Sequence, residues 1–158
     1  MSSKAVVSLT TGPEDPDGSA MNPRPRSATD GGTAVSATAG ERFARALAAK
    51  DSGALCALLT DPVDFQALTP GRHWQADTGR QAVEEIILAY WFGPGDEITE
   101  LCSVINGRVL DREHVAYRVR VRRAGQDYLV EQQAYYRTEG PRITWMRVLC
   151  SGYQPFPE

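Results

Sequence analysis

The chain is poor in cysteine and histidine, in long apolar runs and in excess positive charge, and each shortage removes a class of protein. Its three cysteines, Cys56, Cys102 and Cys150, lie far apart without metal-ligand spacing. That argues against a disulfide framework or a zinc site, so no metal is expected. An odd count behind a start that lacks a long apolar segment fits a reducing cytoplasm. The apolar runs, such as residues 86–90, fall far short of the roughly 20 residues that cross a bilayer, so no membrane partner is expected. Lys and Arg number 17 against 20 Asp and Glu, a net charge of −3, and no basic stripe carries interleaved aromatics. Nucleic acid is therefore not expected as a partner.

Aromatic residues are missing from the first part of the chain: all thirteen fall between Phe43 and Phe156. Residues 1–39 are rich in Ser, Thr, Pro, Gly and Asp, as in Gly12-Pro-Glu-Asp-Pro-Asp-Gly. Such a stretch has too little apolar surface to offset its ordering entropy. A disordered tail over 1–39 and one domain over 40–158 are expected, with Met21 an alternative start.

What is present reads as alternating helices and strands. Residues 38–50 form a helix with Phe43, Ala46 and Leu47 on one face. Ser52 caps a short second helix carrying Leu55, Leu58 and Leu59. Residues 63–68 and 72–76 form a hairpin across Pro70-Gly71, pairing Leu68 with His73, Ala67 with Trp74 and Phe65 with Ala76. Thr78 and Gln81 make a capping box for a third helix. Its buried stripe is Val83, Ile86, Ile87, Tyr90 and Trp91, ending at Gly93-Pro94. Residues 97–105 form a strand that Asn106-Gly107 breaks or bulges.

The stretch 115–153 holds three strands in a meander. A turn at Ala124-Gly125 sets Arg122 opposite Asp127 and Arg118 opposite Glu131, two cross-strand charge pairs. It also sets Val121 by Tyr128, Val119 by Val130, Tyr117 by Gln132 and Val115 by Ala134, so one face is apolar and the other charged. A second turn at Glu139-Gly140 is expected to pair Tyr136 with Ile143, Ala134 with Trp145, Gln132 with Arg147 and Val130 with Leu149. Tyr117, Gln132 and Arg147 then form a row on the inner face. The outer face takes Leu129, Ala116, Gln133, Tyr135, Met146 and Val148, too apolar to be left in water.

This order of elements resembles the NTF2-like superfamily, and within it the SnoaL-like bacterial branch, over residues 40–154. The stretches that carry the likeness are Glu41-Arg-Phe-Ala-Arg-Ala-Leu, Gly79-Arg-Gln-Ala-Val-Glu-Glu-Ile-Ile and Gly140-Pro-Arg-Ile-Thr-Trp-Met-Arg-Val. The resemblance implies an α+β cone: a curved antiparallel sheet wrapped around a pocket, with three N-terminal helices. It implies a small organic molecule as partner, no cofactor, and a homodimer through the convex sheet face. It also implies one of two functions. One is cofactor-independent isomerisation, cyclisation or dehydration of an apolar ligand with a carbonyl or anionic group. The other is a non-catalytic binding or dimerisation module with a filled cone. No Asp-Arg-Asp arrangement like that of the family's epoxide hydrolase is seen on these strands.

The candidate catalytic residues are Arg147 and Tyr117, to hold a developing oxyanion, with His73 or Asp64 as base. The alternative for Arg147 is a cation at the pocket mouth, satisfied by a carbonyl or by Gln132. His73 and Asp64 are both expected on the solvent side of their hairpin, which counts against an isomerase mechanism. Gln132, Trp74, Tyr90, Trp91, Tyr128 and Trp145 are the candidate ligand-binding wall, or simply packing. Glu131 is assigned to Arg118 outside, and Cys150 to packing, since no His is placed to activate it.

Overall fold

The computed structural model describes residues 36–157; the expected tail lies almost wholly outside them. Helix α1 (Ala39–Ala48) begins where Thr38 accepts a hydrogen bond from the Glu41 N–H, and it buries Phe43, Ala44 and Leu47. It lies so close to the sheet that a Cβ on Gly40 would come within 2.8 Å of Tyr136 and Val115. The Gly40 N–H donates to the Tyr136 hydroxyl there. Helix α2 (Ser52–Leu58) is capped by Asp51, which accepts from the Ala54 N–H at 3.0 Å, not by Ser52 as expected.

Strands β1 (Leu59–Thr69) and β2 (Arg72–Ala76) pair as the sequence implied, with Phe65, Ala67, Trp74 and Ala76 buried. Helix α3 (Gln81–Trp91) opens on the expected box: Thr78 accepts from Gln81 N–H, and the Gln81 side chain accepts from Asp77 N–H. Its winding differs. The hydrogen bonds run to the fifth residue, as in Phe92 N–H to Ile87 O at 2.8 Å. A widened helix takes more than the 3.6 residues per turn of an α-helix, roughly. The buried set becomes Ala82, Val83, Ile86, Ile87 and Trp91, and Tyr90 turns out to 62% exposure. The expected place of Tyr90 in the stripe fails for that reason.

Strands β3 (Asp96–Val109), β4 (Arg112–Arg123), β5 (Gln126–Glu139), β6 (Arg142–Cys150) and β7 (Gln154–Pro155) complete a seven-stranded sheet ordered β2-β1-β6-β5-β4-β3, with β7 beside β5. The sheet is mixed, not purely antiparallel, because β1 and β6 run parallel. β3 continues through Asn106-Gly107, where Gly107 pairs with His114; its irregularities lie earlier, at 98–100 and 101–103. The β4–β5 register is the one worked out from charge and polarity, including Arg118–Glu131, Arg122–Asp127 and Tyr117–Gln132.

The β5–β6 register is not. The chain turns on Gly140-Pro141, with Glu139 opposite Arg142, and Thr144 bulges out between the pairs Thr138–Ile143 and Arg137–Trp145. One extra residue reverses the alternation of side chains. Ile143 stays inside as expected, but Met146 and Val148 follow it in, at 0% and 4% exposure, and Leu149 is 58% exposed. Trp145 and Arg147 go to the outer face with it. Gln132 therefore faces Cys150, and Ala134 faces Val148.

The core fills the deep end of the cone. Phe43, Leu47, Leu55, Phe65, Tyr117 and Tyr136 are all essentially inaccessible to water. No described helix is long and apolar enough to cross a membrane.

Candidate functional site

At the mouth of the cone the packing is incomplete. A cavity of about 280 Å³ lies between the β1–β2 turn, α3, β5, β6 and the C-terminal segment. Trp74, Trp91, Phe92, Val130, Gln132 and Cys150 line it, with Arg123 and Tyr153 also contributing. Each arrives there for a local reason. Trp74 sits on the buried side of its hairpin, with its indole N–H donated to Thr69 at 2.8 Å. Gln132 and Cys150 occupy inward positions on neighbouring strands. Trp91 and Phe92 are carried in by the last wide turn of α3.

Two residues that line this cavity each carry a buried donor with no partner. Tyr117 donates to the Gln132 carbonyl oxygen at 2.6 Å, which leaves the amide nitrogen, Nε2, unbonded. Whichever way the amide is turned, Tyr117 occupies one end and the other lacks a protein partner. The indole Nε1 of Trp91 is likewise buried and unbonded. A buried polar group left unsatisfied costs about 1–3 kcal/mol, so a pair at one cavity calls for an explanation. Burial also drives the Tyr117 pKa far up, so this hydroxyl is a fixed neutral donor.

One edge of the mouth is held by a polar network. Arg123 grips Asp96 with two bonds, 2.6 and 2.8 Å, and its guanidinium lies 3.7 Å from the centre of the Tyr153 ring. Asp96 also accepts from Gly93 N–H at 3.0 Å. Tyr153 donates to the Trp91 carbonyl. Lys50 donates to the carbonyls of Gly93 and Asp96. The Arg123 hydrogen bonds hold the Asp96 carboxyl below its ordinary pKa, while burial and the Asp96 charge raise that of Tyr153. Asp96 is thus an anion committed to the protein's own cations and N–H groups, not a free base.

Of the expected catalytic row, only Tyr117 and Gln132 lie inside. Arg147 is on the outer face, where one nitrogen, Nη1, donates to the Asp64 carboxylate at 2.9 Å and to the carbonyls of Asp64 and Met146. The bulge at Thr144 put it there. Asp64 is its exposed partner, and His73 is an exposed neighbour of Gln66 at 3.2 Å. None of the three reaches the cavity. Trp145 is also outside, ringed by Arg112, Arg137 and Arg147 at 4.8, 5.5 and 4.5 Å. Tyr90 stands at the rim against Trp74, ring centres 5.1 Å apart. Tyr128 packs edge-on against Tyr153 rather than lining the void. Glu131 pairs with Arg118 as expected, and that bond lowers its pKa.

Sequence reading missed Asp96, Arg123 and Tyr153. A signal existed for the first two. Extending the cross-strand charge logic from β4–β5 to β3–β4 sets Asp96 opposite Arg123. Tyr153 follows the last long strand and had no pattern to place it.

A larger depression, about 620 Å³, lies on the open surface by Arg120, Arg122, Asp127 and Phe156. Its charges are already satisfied, Asp127 bonding Arg120 at 2.8 Å and Arg122 at 3.1 Å. The smaller, aromatic cavity with unpaired donors is the better candidate. Among the described residues no group of three or more His, Cys, Asp or Glu side chains could hold a metal ion.

No family model matches this sequence, and no curated protein matches it either. Solved structures do match in shape. An LEH-like epoxide hydrolase of M. tuberculosis is similar over 72% of this chain and 80% of its own, at 15% identity and a TM-score of 0.54. An NTF2-like protein of Burkholderia thailandensis is similar over 70% and 85%, at 11% identity and a TM-score of 0.52. The architecture is the NTF2-like cone.

Proposed function

We propose that this protein binds a small, largely apolar or aromatic molecule at the cone mouth, through an oxygen that accepts hydrogen bonds. The observation that carries the reading is the pair of buried, unpartnered donors, Gln132 Nε2 and Trp91 Nε1, on residues lining one cavity. A carbonyl, phenolate or carboxylate oxygen would satisfy at least one of them, and the indole and phenyl walls supply apolar contact. The volume of about 280 Å³ sits just under the range of drug-sized ligand pockets, roughly 300–1,000 Å³, and suits a molecule of one ring. We favour binding over proton transfer. The buried carboxylate nearest the cavity, Asp96, is held ionised by Arg123, and the bases expected from sequence face outward.

A thermal-shift titration with cyclohexanone, acetophenone and benzamide tests the reading. A saturable rise in Tm is expected for the wild type, and its loss in Cys150→Leu, which adds bulk to the wall. No shift with any of the three would refute the pocket assignment.

We also propose that a second copy of the chain covers the outer sheet face, where Leu68, Tyr135 and Leu149 are 52%, 42% and 58% exposed. Leu149→Glu should shift a dimer to monomer by light scattering. A wild-type monomer at micromolar concentration would rule it out. The odd count of cysteines, none of them disulfide-bonded, supports a reducing compartment such as the cytoplasm.

A further inference from the structure

Cys150 stands directly opposite Gln132 on the neighbouring antiparallel strand, and both line the cavity. Residues so opposed keep their Cβ atoms roughly 4.5–5.5 Å apart, so the thiol and the carboxamide reach the same small volume. Gln132 is completely buried, and its Nε2 has no partner. The Cys150 sulfur accepts a hydrogen bond from the Gly152 N–H at 3.4 Å. Arg123 contributes a cation to the same lining. Neither Cys56 nor Cys102 lines this cavity.

We infer that the cavity is a covalent site for a small α,β-unsaturated carbonyl compound, with Cys150 as the nucleophile and Gln132 as the donor to the carbonyl oxygen. In an enone the reactive β-carbon and the oxygen are three bonds apart, which suits two groups facing each other across one ladder position. The thiol proton passes to water. The sulfur lone pair forms a C–S bond to the β-carbon, and the C=C π pair moves through the α-carbon to leave an enolate. Gln132 Nε2–H stabilises the enolate oxygen, and water returns a proton to the α-carbon. The sum is addition of S–H across C=C, with no oxidant, reductant or cofactor consumed. Tyr117 is a positioning residue: its buried hydroxyl fixes the far end of the amide. This inference rests on the pocket assignment above, because it uses the same cavity.

The test is labelling of the full-length wild type with cyclohex-2-enone, read by intact mass and by peptide mapping of the three cysteines. Cys150 should react about tenfold or more faster than the exposed Cys102, and its rate should saturate with probe concentration, as binding before reaction requires. The pair Tyr117→Phe with Gln132→Leu removes both partners of one hydrogen bond and keeps the shape, a change that folded proteins tolerate well. It should slow enone labelling of Cys150 by about tenfold or more, as loss of an oxyanion donor does. Labelling by methyl methanethiosulfonate, which has no carbonyl, should be unaffected. Cyclohexanone, which cannot form the bond, separates the two readings. If it raises the Tm of the wild type while cyclohexenone leaves Cys150 unmodified, the covalent site is overturned and the pocket stands. If it neither shifts the Tm nor is any Cys150 adduct found, both fall. Faster or equal reaction at Cys102, or a rate at Cys150 that rises linearly without saturation, also overturns the inference.

Discussion

The two hairpins of the meander share β5 and teach opposite lessons. In β4–β5 every inward and outward position follows strict alternation from the turn, and the outer ladder sets Arg122 opposite Asp127 and Arg118 opposite Glu131. In β5–β6 the same alternation holds for two pairs and is then reversed by Thr144. The first hairpin has a register enforced locally, since any slip would mix charged and apolar faces. The second has Trp145, Met146, Arg147 and Val148 in succession, and either parity buries two large side chains. Local pattern could not choose between them. β6 also pairs with β1, which runs parallel to it, and that register shifts across the same stretch, from Leu59–Ile143 to Asp64–Trp145.

The sharpest way to break this contrast is to truncate the side chains that the bulge sorted. Met146→Ala should cost about 2–5 kcal/mol in denaturant unfolding, as for a fully buried side chain. Leu149→Ala, at an exposed position, should cost less than about 0.5 kcal/mol if the copies are kept apart by dilution. The reverse order of effects would restore strict alternation and return Arg147 to the cone.

The next effect compares charge pairs on the two sides of β4. Asp96 is buried and receives bonds from Arg123 and Gly93, so Asp96→Asn should cost about 1.5–3 kcal/mol at neutral pH. Because folding lowers its pKa, the contribution is complete above the ordinary Asp value of about 3.9 and fades as pH falls through the folded value. Wild-type stability should therefore drop on acidification below about pH 4 more steeply than that of Asp96→Asn. Parallel acid profiles for the two proteins would show that Asp96 is not held as described.

The turn of the first hairpin offers an effect of opposite sign. Ala124 and Gly125 both adopt positive φ, 49° and 78°, the pattern of a type I′ turn. Glycine accepts this freely; alanine does not. Ala124→Asn should stabilise by about 0.5–1 kcal/mol, measured as a rise in Tm. A loss would mean that the turn has another conformation. The smallest effect belongs to the exposed Arg118–Glu131 pair, 2.5 Å apart. A double-mutant cycle to Ala should give a coupling of about 0.2–1 kcal/mol that shrinks in high salt. A coupling as large as that of a buried pair would erase the distinction drawn between the two sides of β4.

The sequence by itself determined a good deal here. It set the α+β order, the capping box of Thr78 and Gln81, the β1–β2 pairing, the β4–β5 register and the burial of Tyr117 and Gln132. All of these follow from interactions between residues close in sequence or from a charge pattern with one satisfactory solution. Tertiary structure alone decided the rest. The wide winding of α3 turned Tyr90 out, the bulge at Thr144 sent Trp145 and Arg147 to the outer surface, and Asp96, Arg123 and Tyr153 met at the cone mouth. Each of these depends on how a strand or helix fits neighbours that are distant along the chain. A shift of one residue costs little locally, yet it decides which face a side chain occupies. The cavity itself belongs to this second group, because a void is defined by the surfaces that fail to close it.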